Sequence, residues 1–159
     1  MNTAIRTQLI QQYSDGPAEL RRAWDAAPDA ARDWKPAPDA WSMHEVIIHC
    51  ADSETAAATR IRMLASEPRP TIVGYDQDAW VTIFNYVQVS TDLAFAAISA
   101  VRALTTHVIR RFTDDKWKTS GTHSESGPYS AEDWLRTYAA HLHEHAGQIR
   151  SNLALWELR

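Results

Sequence analysis

The chain is short of cysteine, glycine and basic charge, and each shortage excludes a class of protein. A single cysteine, Cys50, permits no internal disulfide, which favours the cytoplasm as the location. A net charge of −4 argues against a nucleic-acid partner, because such a partner requires a basic face. No apolar run approaches the roughly 20 residues that span a bilayer, and the N-terminus shows no signal-peptide stretch. The sequence therefore predicts a soluble globular protein without a membrane or nucleic-acid partner.

Tryptophan and histidine, by contrast, are abundant, with seven of each in 159 residues. A chain of this length is expected to form one domain, residues 1–159, around a single core. Seven tryptophans must be anchored in that core or line a pocket. Seven histidines raise the question of a metal site, because imidazole is the commonest metal ligand in proteins.

Four alanine-rich stretches predict helices, because alanine has the highest helix propensity and glycine is scarce. They cover about residues 3–26, 42–66, 79–112 and 129–155. Asp15-Gly16-Pro17 interrupts the first, where we expect a kink or a restart. Long connectors follow at residues 28–40, 67–78 and 113–128. No alternation lasts long enough to build a sheet, so we predict an all-α fold, a four-helix bundle with long connecting loops.

The second and fourth helices begin with the same signal, an aromatic residue followed by serine and an acid three positions later. Ser42 and Glu45 form this pair in the second helix, and Ser130 and Asp133 form it in the fourth. Such pairs are typical of capping boxes, in which each side chain accepts a hydrogen bond from the other residue's backbone N–H.

Three histidines near the C-terminus alternate with other residues in the segment AAHLHEHAGQIR. On a helix, residues four apart share a face, so His141 and His145 converge while His143 points away and is assigned to solvent. This spacing allows two imidazoles to bind one metal ion, although a pair exposed to water is the ordinary alternative. Among the other histidines, His107 is assigned to the surface, and His123 could overhang a pocket from its loop.

A third ligand is available on the second helix, since catalytic metal sites commonly have three protein ligands. His49 follows the apolar run Val46-Ile47-Ile48 and is expected to be buried. The residues alone leave open a core histidine that is hydrogen-bonded to a carbonyl group. Neighbouring Cys50 is interpreted as a small buried hydrophobic residue, and His44 as a solvent-facing or capping residue.

Four segments together carry a resemblance to a known family. They are WSMHEVIIHCADSE, YDQDAW, TDDKWKTSGTHSESGPYSAEDWL and HLHEHAGQI. In this order they resemble the DinB superfamily, including its YfiT-type metal-dependent hydrolases, from about Trp41 to Ile149.

The resemblance implies a four-helix bundle of up-down-down-up character and a divalent metal, often zinc or nickel. It assigns the metal to His49, His141 and His145. It also implies a homodimer and, in some relatives, a low-molecular-weight thiol co-substrate such as bacillithiol, mycothiol or glutathione.

A metal held by three neutral imidazoles keeps open positions and activates bound water or a bound thiol. We therefore expect a metal-dependent hydrolase or thiol S-transferase that acts on a small molecule. An apolar pocket is predicted from four aromatic residues, Trp80, Trp117, Trp134 and Tyr138. Asp52 and Gln148 are candidates to orient the ligand imidazoles, whereas Glu54 and Glu144 are assigned to the surface. The alternatives are a non-catalytic metal-binding or stress protein, and a bundle whose buried histidines hold no metal.

Overall fold

The computed structural model describes residues 1–159 and is predominantly helical. Its elements in chain order are α1 (Thr3–Asp25), α2 (Asp29–Arg32), α3 (Met43–Ser66), β1 (Thr71–Ile72), α4 (Gln77–Ile83), a 3₁₀ turn (Tyr86–Gln88), α5 (Thr91–Ile109), α6 (Asp114–Trp117), β2 (Ser120–His123), β3 (Gly127–Ser130) and α7 (Ala131–Glu157). The four long helices α1, α3, α5 and α7 form a bundle in which α1 and α3 each pack against both α5 and α7. The predicted all-α four-helix bundle is confirmed.

Both predicted capping boxes are present. In α3, the Ser42 hydroxyl accepts from the Glu45 backbone N–H at 3.2 Å, and the Glu45 carboxylate accepts from the Ser42 N–H at 2.8 Å. The equivalent distances in α7 are 3.1 Å to the Asp133 N–H and 2.9 Å from the Ser130 N–H. The two helices that carry the histidine cluster therefore begin at well-defined positions.

Helix α1 runs without a break through Asp15-Gly16-Pro17, so the helix does not restart there. Proline has no N–H to donate, which leaves the Tyr13 carbonyl, four residues earlier, without its helical partner. The Arg102 side chain from α5 takes that place, and its Nη1 donates to the Tyr13 oxygen at 2.6 Å. A tertiary hydrogen bond thus replaces the missing helical one.

The single third helix predicted over residues 79–112 is also wrong, because two helices and a 3₁₀ turn occupy this stretch. Asn85 adopts a left-handed conformation with φ of 47°, which ends α4. Asparagine tolerates this conformation better than most residues do. Ser90 then caps α5, and its hydroxyl accepts from the Leu93 N–H.

A three-stranded sheet, which the sequence did not predict, joins two of the connectors. The strand order is β1-β2-β3, with β1 and β2 parallel and β2 and β3 antiparallel. A Cβ atom at Gly121 would lie 2.2 Å from the Pro70 carbonyl oxygen, so only glycine permits this close approach. These strands have two to four residues each, too few for an alternating pattern to show in the sequence.

By length and composition, α5 is the one helix in the chain that is apolar enough to cross a bilayer. In the bundle it packs against α1 and α3, and its Arg102 side chain is only 1% exposed. The sequence expectation that no stretch approaches a membrane span did not anticipate this helix, which contains Arg102 as its one arginine. One face of α5 is therefore buried in the bundle, while Leu93 and Leu104 on its other side are exposed.

Candidate metal centre

The structure brings together His49, His141 and His145, the three histidines singled out in the sequence. His49 projects from α3, while His141 and His145 lie one turn apart on α7. One ring nitrogen of each lies within 4.8 Å of those of the other two. Two nitrogens that each lie about 2.0–2.1 Å from one metal ion are at most about 4.2 Å apart, so the observed limit is slightly wider than a metal-bound cluster requires.

Hydrogen bonds determine which nitrogen each α7 histidine presents to the cluster. His141 Nδ1 lies 3.3 Å from Glu54 Oε1, and His145 Nδ1 lies 2.8 Å from Gln148 Oε1. Both oxygens are acceptors, so each Nδ1 carries the proton and each Nε2 keeps its lone pair. Ser53 Oγ lies 3.3 Å from His141 Nε2, within hydrogen-bonding distance.

His49 has a buried ring nitrogen without a partner. Its ring is 3% exposed, and its Nδ1 makes no hydrogen bond in the protein. The Trp41 ring covers it at a centroid distance of 4.7 Å. Buried polar atoms are nearly always satisfied, so this one points to a ligand, and the arrangement fits a divalent transition metal. The carbonyl-bonded core histidine considered from the sequence does not match the unpaired Nδ1 atom.

The cluster favours neutral imidazoles. Burial, with a further contribution from His145 and His141, lowers the pKa of His49 to about 3. Burial and the neighbouring His141 likewise lower the pKa of His145 to about 4. At neutral pH both residues therefore have a free lone pair, which a metal requires of its histidine ligands.

Glu54 is completely buried, so its assignment to the surface is wrong. Two hydrogen bonds of 2.6 Å join its carboxylate to Arg102. Burial alone would raise the pKa of Glu54, but its hydrogen bond with His141 and the charge and hydrogen bonds of Arg102 together lower it. Glu54 is therefore a buried carboxylate that contacts one member of the histidine cluster, His141.

Three other polar residues differ from expectation. Asp52, a candidate to orient a ligand imidazole, instead accepts a hydrogen bond from the Tyr86 hydroxyl. His143 is not left to solvent, because its Nε2 lies 3.0 Å from the Gln12 carbonyl oxygen of α1. His44 is half-buried, with its Nε2 2.8 Å from the Val89 carbonyl oxygen. Gln148 does contact a cluster histidine, His145.

A cavity of about 370 Å³ adjoins the cluster and is lined by His49 and His141. The remaining lining is mostly polar, formed by Ser53, Arg60, Gly74, Tyr75, Asp76, Gln77, His123, Glu125, Thr137 and Tyr138. This polar lining differs from the apolar pocket predicted from the sequence. His123 does reach it from β2, as the loop position suggested.

The four aromatic residues proposed for the pocket have separate locations. Tyr138 lines it, while Trp80 lines a neighbouring cavity together with Asp52. Trp117 and Trp134 are fully buried in the hydrophobic core, where the Trp134 Nε1–H donates to the Ala57 carbonyl. Both tryptophans therefore pack in the core, and neither lines the cavity beside the histidines.

Two residues of the pocket could have been found by helical spacing. Ser53 and Arg60 follow His49 by four and eleven positions on α3, which places all three on one face. Arg60 Nη1 donates to the Tyr138 hydroxyl at 2.9 Å. Burial raises the pKa of Tyr138, a rise that Arg60 opposes, so Tyr138 stays protonated at neutral pH.

Comparison with known proteins gives a consistent family. "Putative metal-dependent hydrolase YfiT" of Bacillus subtilis (strain 168) is 26% identical over 145 residues, which cover 91% of this chain and 82% of YfiT. A relative from Oceanobacillus iheyensis with the same description is 24% identical over 147 residues, or 92% of this chain and 85% of the relative.

The fold comparison agrees. A solved structure of YfiT from Bacillus subtilis, described as "a probable metal-dependent hydrolase with an unusual four-helix bundle topology", matches with a TM-score of 0.89. The match has 24% identity and covers 96% of this chain and 87% of that chain. The sequence model of the DinB superfamily matches residues 12–149, from the middle of α1 into α7. This chain belongs to the DinB superfamily.

Proposed function

We propose that this chain is a metal-dependent hydrolase in which His49, His141 and His145 hold a divalent transition metal. The observation that carries the proposal is the cluster itself, three imidazole nitrogens within 4.8 Å, one of them on a buried ring with an unpaired nitrogen. The names of the relatives support the same class of reaction. Zinc and nickel are the metals we expect, since both accept sites made of imidazole alone.

His49, His141 and His145 would hold the metal, which would supply hydroxide for hydrolysis at neutral pH by lowering the pKa of water to about 7. The protein contributes neutral rings and holds them in place. Gln148 fixes the His145 ring through its Nδ1, and Glu54 does the same for His141. Ser53 Oγ, beside His141 Nε2, is positioned to hydrogen-bond a water or substrate group that enters from the cavity.

Tyr138 is the residue we assign to the substrate. Its hydroxyl oxygen accepts from Arg60, which leaves the hydroxyl proton free for an acceptor in the cavity. The guanidinium charge makes that proton a stronger donor to a substrate oxygen that gains negative charge during hydrolysis. The lining is polar where the sequence predicted an apolar pocket, and it favours a small polar substrate.

Thiol transfer is the alternative reaction for the same site. The same three histidines would hold a metal able to activate a thiol as a thiolate, and the family resemblance predicts a low-molecular-weight thiol co-substrate. The small-molecule partner, the homodimer and the cytoplasmic location likewise stay predictions.

The test compares metal-stripped protein with protein reloaded with zinc or nickel. Hydrolysis of small polar esters, amides and lactones is measured with and without added thiols. We expect activity in the reloaded protein alone and a loss in kcat of about 10²-fold in Tyr138→Phe, as for other single oxyanion donors. Turnover that requires a thiol would establish the alternative reaction, and turnover that survives stripping would overturn the metal dependence.

No turnover in any assay of the fully loaded protein would favour the non-catalytic metal-binding protein. Thr137→Val serves as the matched control for Tyr138→Phe, because Thr137 also lines the cavity but makes no hydrogen bond with Arg60 or with the histidine cluster. If Thr137→Val lowers kcat less than Tyr138→Phe does, the loss in Tyr138→Phe comes from the missing hydrogen-bond donor and not from a general change of the pocket.

A further inference from the structure

Arg102 is a buried cation that connects all four helices of the bundle. From α5, its Nε and Nη2 donate to the Glu54 carboxylate of α3 at 2.6 Å each. Its Nη1 donates to the Tyr13 carbonyl of α1 at 2.6 Å, and its Nη2 also donates to the Tyr138 carbonyl of α7 at 2.9 Å. The fixed fork of the guanidinium therefore holds Glu54 in one orientation.

The Gly16-Pro17 segment of α1 provides the place for this guanidinium. Pro17 has no N–H to donate to the Tyr13 carbonyl, so Arg102 does not share this acceptor with a helical donor from residue 17. A Cβ atom on Gly16 would lie 3.3 Å from Arg102 Nη1 and 3.0 Å from Leu142 Cβ. The motif that resembles a helix break in the sequence thus admits a buried side chain.

Glu54 in turn contacts His141, a member of the histidine cluster. Arg102 Nη2 and His141 Nδ1 approach the same carboxylate oxygen, Oε1, at 2.6 and 3.3 Å. A carboxylate can only accept, so Glu54 selects the His141 tautomer whose Nε2 lone pair is free. The His141 ring is therefore already oriented in the metal-free protein.

We propose that Glu54, held by Arg102 and by the Gly16-Pro17 segment of α1, is a positioning residue that orients His141 for metal binding. The proposal rests on the three-histidine metal site proposed above. Carboxylates that accept from a ligand histidine raise its basicity and fix its ring, and their loss typically weakens metal binding about 10- to 100-fold. Asp52, the acid expected from the sequence to do this, is bonded to Tyr86 instead.

The test measures Co²⁺ binding to full-length, metal-stripped protein by visible absorption, which reports both affinity and ligand geometry. Glu54→Gln keeps the size of the side chain but removes its charge. We expect its Kd for Co²⁺ to rise at least 10-fold, with a changed absorption spectrum. The matched control is Asp52→Asn on the same helix, for which we expect the Kd and the spectrum of the wild type.

A second variant, Pro17→Ala, tests the same chain of contacts far from the histidines. The restored N–H competes with Arg102 for the Tyr13 carbonyl, so we expect a smaller rise in Kd, a few-fold, in a protein that folds. A Glu54→Gln protein that is less stable but binds Co²⁺ with wild-type affinity and spectrum would overturn the proposal. Wild-type protein that binds no Co²⁺ would instead overturn the metal site on which the proposal rests.

Discussion

Two groups of buried polar side chains lie side by side in this bundle, and they differ in how completely they are hydrogen-bonded. The Arg102–Glu54 ion pair has partners on all four helices. The histidine cluster next to it has an unpaired, buried Nδ1 on His49 and two Nε2 atoms that keep their lone pairs.

The difference separates a structural role from a binding role. A fully paired buried charge gains nothing from a ligand, whereas an unpaired buried nitrogen gains a partner when a metal binds. His141 belongs to both groups, because its Nδ1 faces Glu54 while its Nε2 faces the cavity. Because Glu54 and His141 are in contact, a change in the ion pair can affect the histidine cluster. The two groups consist of different residues, so mutations can still disrupt each of them separately.

The largest effect on stability should come from disrupting the fully hydrogen-bonded Arg102–Glu54 ion pair. Arg102→Met leaves the Glu54 carboxylate buried without its partner, and we expect the free energy of unfolding to fall by about 3–5 kcal/mol. Urea unfolding followed by circular dichroism measures it. Arg21→Met, at an exposed arginine of α1, is the control and should change stability by less than about 1 kcal/mol. A small loss in Arg102→Met would contradict the assigned role of the pair.

The histidine cluster should make the free energy of unfolding of the metal-free protein depend on pH. In the folded state the pKa of His49 is about 3 and that of His145 about 4, against an ordinary value of 6.5. Between these values the unfolded chain binds protons that the folded chain does not, so stability falls as pH drops below about 6.5.

The slope expected from each histidine is at most about 1.4 kcal/mol per pH unit. Urea unfolding between pH 7.5 and 4.5 measures it, and His49→Ala should have a shallower slope than the wild type. Equal slopes in the two proteins would show that the buried His49 ring contributes no such penalty.

The smallest effect should come from His143, which lies between the two α7 members of the cluster but outside it. Its one hydrogen bond, with the Gln12 carbonyl, is worth about 0.5–1.5 kcal/mol. We expect His143→Ala to lose this much stability in thermal or urea unfolding and to bind metal like the wild type. Loss of metal in this variant would mean that His143 also contributes to the metal site, contrary to the assignment of His141 and His145 as its two ligands from α7.

The sequence predicted what depends on local pattern. Both capping boxes are visible as residue pairs three positions apart, and the convergence of His141 and His145 follows from one turn of helix. The choice of His49 needed more than this, since the residues alone left a core histidine open and the family resemblance selected it.

Long-range partners could not be predicted. Glu54 looks like a surface charge because its partner, Arg102, lies on another helix 48 positions away. Asp15-Gly16-Pro17 indicates a break because no local rule anticipates that Arg102 will bond the Tyr13 carbonyl. Trp117 and Trp134 could have lined a pocket or filled a core with equal ease, and only the packed structure separates the two.

The metal content of protein purified without an affinity tag tests the central claim most directly. Elemental mass spectrometry should find close to one divalent transition metal per chain in the wild type and in His143→Ala. His49→Ala, His141→Ala and His145→Ala should each lose it while remaining folded. A wild-type protein without metal that also fails to take up zinc or nickel, or a content unchanged in all three variants, would contradict the three-histidine centre.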